Sequence, residues 1–545
     1  MSHRKLLALA LTTVGALAVT TLNTPASVAD DTRSTEPAQA SSSEYYEDYT
    51  TTIIVQLTDD APALAEMKER VSASVTAAVP GANVTDVREY THVLRGFAIR
   101  APMSALKAIK ATPGVKAAFK DRYSATVYDE YGSSNSGNKD KDHDPSHSAA
   151  MDMTAAAQAT HKGSGQVIEV IDTGFDTSHA AFAGPVEGAR LAQSDVASLT
   201  AGLGDGRGGG WVSAKIPFAY DYADGDADVS YPDPGQFPDQ TSDARYTHGT
   251  HVAALAAANG SEFRGAAPDA QLVMAKVLGD DDQEINDSVL LAALDDAAIL
   301  KPDVLIVSVG DNAGQNGDAL ATYADVYAAL TAQGIAINAP AGDYTSSAWG
   351  NWNKGDQPFA TDADYGAIIL PALDSNALAV ASLDEVDKRD GQPLADPSPS
   401  RFSSWGVTPD LRLKPEIAAP GGDVMSALPA GSYGRRAGTA EASAQVAGIA
   451  ALVRQRVATD PMFSGLSAEE KNAVVTNLLM GTAHPVVDTT RGGHTFYSPR
   501  KVGAGMVDAV AATTSSVYPT VVGAATPSRP KADLGDGTDG WTFQV

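Results

Sequence analysis

The side chains that could do covalent chemistry in this chain are an acid and an imidazole, with a methyl group standing where a third group would be needed. The apolar run VIEVI ends in Asp172-Thr173-Gly174, THGTH places His248 and His251 at the head of an alanine-rich segment, and GTAEASAQVAG (438–448) is a Gly-Thr turn entering small residues at Ala440. A carboxylate that orients an imidazole makes a general base. Such a base needs a nucleophile to activate. The sequence contains no cysteine, so that nucleophile would be an oxygen or a nitrogen. Ala440 occupies the place where such a turn could seat a serine hydroxyl, and a methyl group cannot attack.

Each motif also has a plainer reading. Asp-Thr-Gly is the loop of aspartic proteases, but that chemistry needs two such loops and no second D-[ST]-G occurs. A lone Asp before a Gly also simply caps a turn. Two histidines three residues apart suggest a metal pair, yet H-E-x-x-H is absent and spacing places no third ligand, so no metal is assigned. The acidic stretch DYADGDADVSYPD lacks the ordered ligand spacing of a calcium loop and reads as a solvated loop. No cofactor is required, and structural calcium has no assignable ligands.

The elements that must position these residues are legible in the hydrophobic pattern. From about Met151, the β-rich runs QVIEVID, AQLVMAKVL, DVLIVSVG, GIAINAP and ALAVASL alternate with helical segments such as DSVLLAALDDAAIL and DALATYADVYAALTAQ. That order predicts an α/β fold, a doubly wound, mostly parallel sheet covered on both faces, with its sites beyond the carboxyl ends of the strands. Asp172 falls at such an end, and His248 opens a buried helix. Before this region, TTIIVQL, ALAEMKERVSASVTAAV, VTDVREY, RGFAIRA, SALKAIKAT and VKAAFKD read β-α-β-β-α-β, a small ferredoxin-like α+β domain over 45–128. A charged, Gly- and Ser-containing linker follows at 129–147.

His3, Arg4 and Lys5 precede the apolar run LLALALTTVGALAVTTL, with small residues at Ser27 and Ala29, so 1–29 reads as a secretory signal and 30–44 as a polar linker. No second stretch could span a bilayer, which predicts a secreted, extracellular or cell-envelope-associated chain with no membrane span after signal cleavage. The 39 Lys+Arg against 67 Asp+Glu leave a formal charge of -28, which argues against nucleic acid as a partner.

Taken together, VIDTGFDTSHAAF, THGTHVAALAAANG…RGAAPDAQLVMAKV and RFSSWGVTPDLRLKPEIAAPGGDVMSAL resemble the aspartate, histidine and pre-nucleophile segments of subtilisin-like serine peptidases. The likeness runs from about residue 45 to the end and is nearest the secreted cell-envelope branch of lactocepin and complement-cleaving peptidase type. It implies a subtilisin-like peptidase domain over 148–515, and for the ferredoxin-like domain the role of a prosegment that assists folding and inhibits. The run TPSRPKADLGDGTDGWTFQV, within 516–545, resembles a linker and the opening of a β-sandwich cut short. The partners implied are an extended polypeptide and the chain's own prosegment.

Carried over residue by residue, the resemblance makes His248 the base and Asp172 its orienting acid, and it makes Ser308, Val309 and Gly310 the strand that pairs with substrate backbone. The family's G-T-S-M-A-x-P falls on 438–444, so the nucleophile position is Ala440, and its A-G-N falls on Ala341-Gly342-Asp343, so a carboxylate replaces the oxyanion-binding amide. In subtilisin, nucleophile loss costs about 2 × 10⁶ in turnover and loss of the oxyanion donor about 10² to 10³. Ser443 lies one turn on, about 4.5 Å along the helix axis, too far to substitute. The chain therefore reads as a pseudopeptidase. Two alternatives stand beside it: an active enzyme represented by an engineered or miscalled Ser-to-Ala sequence, and a non-catalytic surface binding protein or adhesin.

Overall fold

The computed structural model describes residues 49–126, 149–203, 207–230, 244–282, 284–310, 317–344, 368–384, 397–408, 411–491, 495–521 and 530–531. The signal reading at 1–29, both linkers and most of the truncated sandwich lie outside them.

The N-terminal domain forms as its alternation predicts: β1 (Thr50–Leu57), α1 (Leu64–Ala78), β2 (Thr85–Tyr90), β3 (Gly96–Pro102), α2 (Leu106–Lys110) and β4 (Val115–Lys120). The four strands make one antiparallel sheet in the order β2-β3-β1-β4. Strand side chains alternate between faces. Ile53, Val55 and Leu57 pack with Met67, Val71 and Val75 of α1, whereas Ile54, Ala98 and Phe119 join a cluster with Leu291, Leu294 and Tyr323 of the following region. Both faces of this small sheet are therefore buried, the second against the larger domain. A further strand, β5 (Tyr123–Thr126), then leaves it.

After the short helix α3 (Ala149–Met153) comes β6 (Val167–Asp172), then α4 (Gln193–Thr200), β7 (Phe218–Asp221), α5 (Ala244–Ala257) and β8 (Gln271–Lys276). The two-residue strand β9 (Ile285–Asn286) leads into α6 (Asp287–Leu300), β10 (Val304–Val307), β11 (Val309–Gly310), α7 (Asp318–Ala332) and β12 (Ala336–Pro340). The remaining elements named here are β13 (Ala377–Asp384), β14 (Ile417–Gly422), the hairpin β15 (Val424–Leu428) and β16 (Ser432–Arg436), α8 (Thr439–Thr459) and α9 (Ala468–Gly481). Seven strands form a parallel sheet in the order β14-β13-β12-β10-β6-β8-β7.

The sheet's apolar runs are near-continuous because both faces are covered. In β6 and β10, Ile168, Val170, Val304 and Ile306 face the cluster of α5, α8 and α9, while Val167, Ile171, Leu305 and Val307 face that of α6 and α7. β6 lies between β8 and β10, so the winding reverses beside it, and ligand sites of open parallel sheets gather outside the carboxyl ends at such a point. Asp172 is the last residue of β6.

Candidate active site

The loop after β6 and the start of α5 meet closely enough to exclude a side chain. A Cβ on Gly249 would lie 2.4 Å from the Gly174 carbonyl oxygen and 3.1 Å from Asp172 Cβ, so the glycine of HGT is required by the glycine of DTG. That approach brings Asp172 Oδ1 to 2.8 Å from His248 Nδ1, with both side chains fully buried. Asp172 Oδ1 also accepts the Thr173 N–H at 2.7 Å, which fixes the carboxylate. With Nδ1–H directed at Asp172, Nε2 is left as the basic nitrogen, and it has no hydrogen-bond partner among the described residues. Burial opposes protonation of His248, but the Asp172 carboxylate, by charge and hydrogen bond, and then Glu441 hold it above the ordinary histidine value.

His251, one turn along, serves a different end. Its Nε2 lies 3.1 Å from the Val424 carbonyl and 3.3 Å from that of Gly434, so it ties α5 to the β15–β16 hairpin. Its Nδ1 is 3.4 Å from Glu441 Oε1. Arg436 Nε approaches the same oxygen at 3.6 Å, and the Arg436 guanidinium also donates to Thr247 Oγ1 at 2.5 Å. Burial alone would keep Glu441 protonated, but His251, His248 and Arg436 pull it down to about 2, so it is a buried anion beside the pair. No sequence motif pointed to Glu441 as part of the site; its partners come from two other elements.

Ala440 is fully buried in the first turn of α8, whose N-cap is Gly438. Asp343, just past β12, reaches that turn: its Oδ1 accepts the Thr439 N–H at 2.9 Å and the Thr439 hydroxyl at 2.8 Å. Thr439 Oγ1 in turn accepts the Gly342 N–H at 3.0 Å. A carboxylate of the protein thus holds a backbone donor at the positive end of a 21-residue helix. Ser443 is fully buried, and its hydroxyl has no partner among the described residues.

Ser308 precedes β11 and is buried, with its hydroxyl unpartnered among the described residues. β11 pairs antiparallel with β5, Val309 opposite Thr126 and Gly310 opposite Ala125. β5 also pairs with β9, so it forms the middle strand of a three-stranded sheet, β11-β5-β9. The strand expected to pair with an extended peptide is therefore paired with the chain's own N-terminal segment.

The acidic loop differs in part from its reading as fully solvated. Asp221 is buried and accepts from Lys276 Nζ, which also reaches Asp280 at 2.6 Å and Asp224 at 3.5 Å. Oxygens of these three acids lie within 4.8 Å of one another, the spacing of a cation site. A divalent ion there would face the buried ammonium, so this donor set does not fit calcium.

A subtilase family model matches residues 163–505. The PI-type proteinase of Lactococcus lactis subsp. cremoris is 24% identical over 616 residues, covering 84% of this chain and 31% of that protein. The C5a peptidase of Streptococcus pyogenes is 36% identical over 121 residues, covering 22% of this chain and 10% of that protein. The chain thus spans a third or less of the length of these relatives. Fervidolysin from Fervidobacterium pennivorans, described as a keratinolytic enzyme related to subtilisin, superposes with a TM-score of 0.56 at 16% identity, over 87% of this chain and 62% of that one. At that identity the likeness carries the fold alone, which is subtilisin-like.

Proposed function

This chain belongs to the subtilase family, and from that premise we propose that it is a secreted endopeptidase homologue that binds extended polypeptide without hydrolysing it. The observation that carries the reading is Ala440, a methyl group in the first turn of α8 where the family has its nucleophile, in a molecule that keeps the Asp172–His248 pair. His248 can accept a proton through Nε2, and Asp172 can orient and stabilise the imidazolium. No oxygen stands at 440 to give up that proton, so no acyl-enzyme forms.

Asp343 supports the same reading from the other side of the reaction. An oxyanion is stabilised by donors aimed at it. At this position the chain offers a carboxyl group already engaged with Thr439; ionised, it repels a developing negative charge, and only in its protonated form could it donate to one. The N-terminal domain is then a prosegment that stays docked, and β5 is the peptide held in the groove, by strand addition to β11.

The test is hydrolysis of an unfolded protein substrate by the purified chain beside the Ala440→Ser, Asp343→Asn double variant. The expected result is no turnover above buffer for the native chain and turnover for the double variant. Hydrolysis by the native chain that survives purification to homogeneity would overturn the reading.

A further inference from the structure

α6 is held by the N-terminal domain at two places. Near its middle, Asp295 accepts four consecutive backbone N–H groups of the β2–β3 loop: Thr91 at 2.8 Å, His92 at 3.0 Å, Val93 at 2.8 Å and Leu94 at 2.9 Å. At its N-terminus the helix's own N-cap residue, Asn286, makes no side-chain cap. The cap comes from the other domain instead: Asp121, just after β4, accepts the Ser288 N–H at 3.0 Å and the Ser288 hydroxyl at 2.5 Å. Arg122 pairs with Asp287 at 2.7 Å, and Tyr323 of α7 donates to Asp287 at 2.7 Å.

Two carboxylates thus face one another's neighbourhood across a single seam, Asp121 from one side and Asp287 from the other. The Arg122 fork is directed at Asp287, while Asp121 is met by the neutral donors of Ser288. The groups that act on Asp121 are Asp287 and Ser288 from α6 and Arg88 and Tyr90 from β2; Arg122 of its own segment and Tyr323 of α7 are directed at Asp287, and Arg207 acts on Tyr90. Tyr90, itself fully buried, donates its hydroxyl to the Ser288 carbonyl at 3.0 Å.

We propose that docking of the N-terminal domain onto α6 is proton-linked through Asp121, so that acidification tightens the clamp and neutral or alkaline conditions loosen it. Separation of the two surfaces would return the Asp121 carboxylate to water, whereas docking buries it beside Asp287, and that desolvation outweighs the Ser288 donors at the α6 N-terminus and the charge of Arg88, which favour the anion. Burial pushes the docked carboxyl up to about 6, against an ordinary value of 3.8. A group whose acidity is weakened by docking binds its proton more tightly in the docked form, so docking strengthens as pH falls through about 6 and stops strengthening below the ordinary carboxylate value. A second carboxylate of the interface, Asp318, works in a separate window. Burial there is outweighed by Lys110 at 2.9 Å and the Ala118 N–H at 3.2 Å, which hold it below 3.8, so its contribution is lost only in stronger acid. The proposal rests on the docked interface and is independent of whether Ala440 abolishes hydrolysis.

The test is hydrogen exchange on the full chain, followed in the amides of 91–94 and Ser288, which only undocking exposes, with α8 as internal reference and rates corrected for intrinsic pH dependence. Between pH 7 and pH 5 protection of these amides should rise about tenfold while α8 does not change. Asp121→Asn, which keeps an acceptor for Ser288 without the charge, should be flat across this range and more protected than the native chain at pH 5, at the level the native chain reaches only below the ordinary carboxylate value. Protection that stays constant or falls on acidification in the native chain would overturn the proposal, as would a folded Asp121→Asn that loses protection at every pH. The native profile decides the matter even if the variant does not fold.

Discussion

The two halves of the site are built on different supports, and on the proposed reading only one of them keeps its family residues. Asp172 and His248 sit where β6, in the middle of the sheet, meets α5, and the contact of Gly249 with Gly174 welds the pair together. Ala440 and Asp343 sit where β12 meets the N-terminus of α8. In the first half the catalytic geometry coincides with core packing, so the fold itself preserves it. In the second, a helix N-terminus favours negative charge, and Asp343 on Thr439 with Glu441 in the first turn is a stabilising arrangement there. The same charges oppose an oxyanion. On the proposed reading, in which hydrolysis is not required, the second half is free to become a better helix end, and the first is not free to change.

The sharpest way to break this contrast is to restore the second half. Ala440→Ser with Asp343→Asn should recover turnover, and Ala440→Ser alone should lag behind the double variant by about 10² to 10³ in kcat. Equal activity of the two variants would show that the Asp343 carboxylate does not oppose the reaction.

The next largest effect is on stability and belongs to the first half. Gly249→Ala, which drives a methyl group against the Gly174 carbonyl, should cost about 1–3 kcal/mol in denaturant unfolding, with Ser443→Ala as a near-neutral control. A Gly249→Ala chain as stable as the native one would mean the weld is not tight.

Glu441 sharpens the comparison through pH. Its carboxyl is lowered to about 2 from an ordinary 4.5, so the stability it contributes is fully present above about 4.5 and is lost as pH falls toward 2. Glu441→Gln should be less stable than the native chain at neutral pH, and the difference should narrow through that acid window. The smallest effect is on His248, whose basicity the same anion raises. Its NMR titration midpoint should lie above that of a free histidine, fall strongly in Asp172→Asn and fall slightly in Glu441→Gln.

Much of this was legible in one dimension. The apolar runs of TTIIVQL, RGFAIRA, VIEVI and VLIV correctly mark strands buried on both faces, because burial writes itself into the residues. Asp172 was legible because it ends an apolar strand run, and His248 because it precedes Gly249, a glycine required by close approach, at the head of an alanine-rich helix. Glu441 with His251 and Arg436, and Asp343 with Thr439, were not. Those contacts join elements far apart in the chain, and no local periodicity records them. Lys276 was missed for the same reason: a lysine inside the apolar run QLVMAKV has a meaning only once Asp221, Asp224 and Asp280 surround its ammonium. The occupation of β11 by β5 was hidden because YSAT is too short to announce a strand.

The proposed loss of self-processing is open to one direct measurement: the intact mass of the purified chain, followed over days at neutral pH, beside the Ala440→Ser, Asp343→Asn variant. The expected result is a native mass that does not change and still includes residues 49–126, with the variant losing that domain by cleavage after β5. Prompt, concentration-independent self-cleavage of the native chain between 127 and 148 would contradict the claim that the site with Ala440 does not cut.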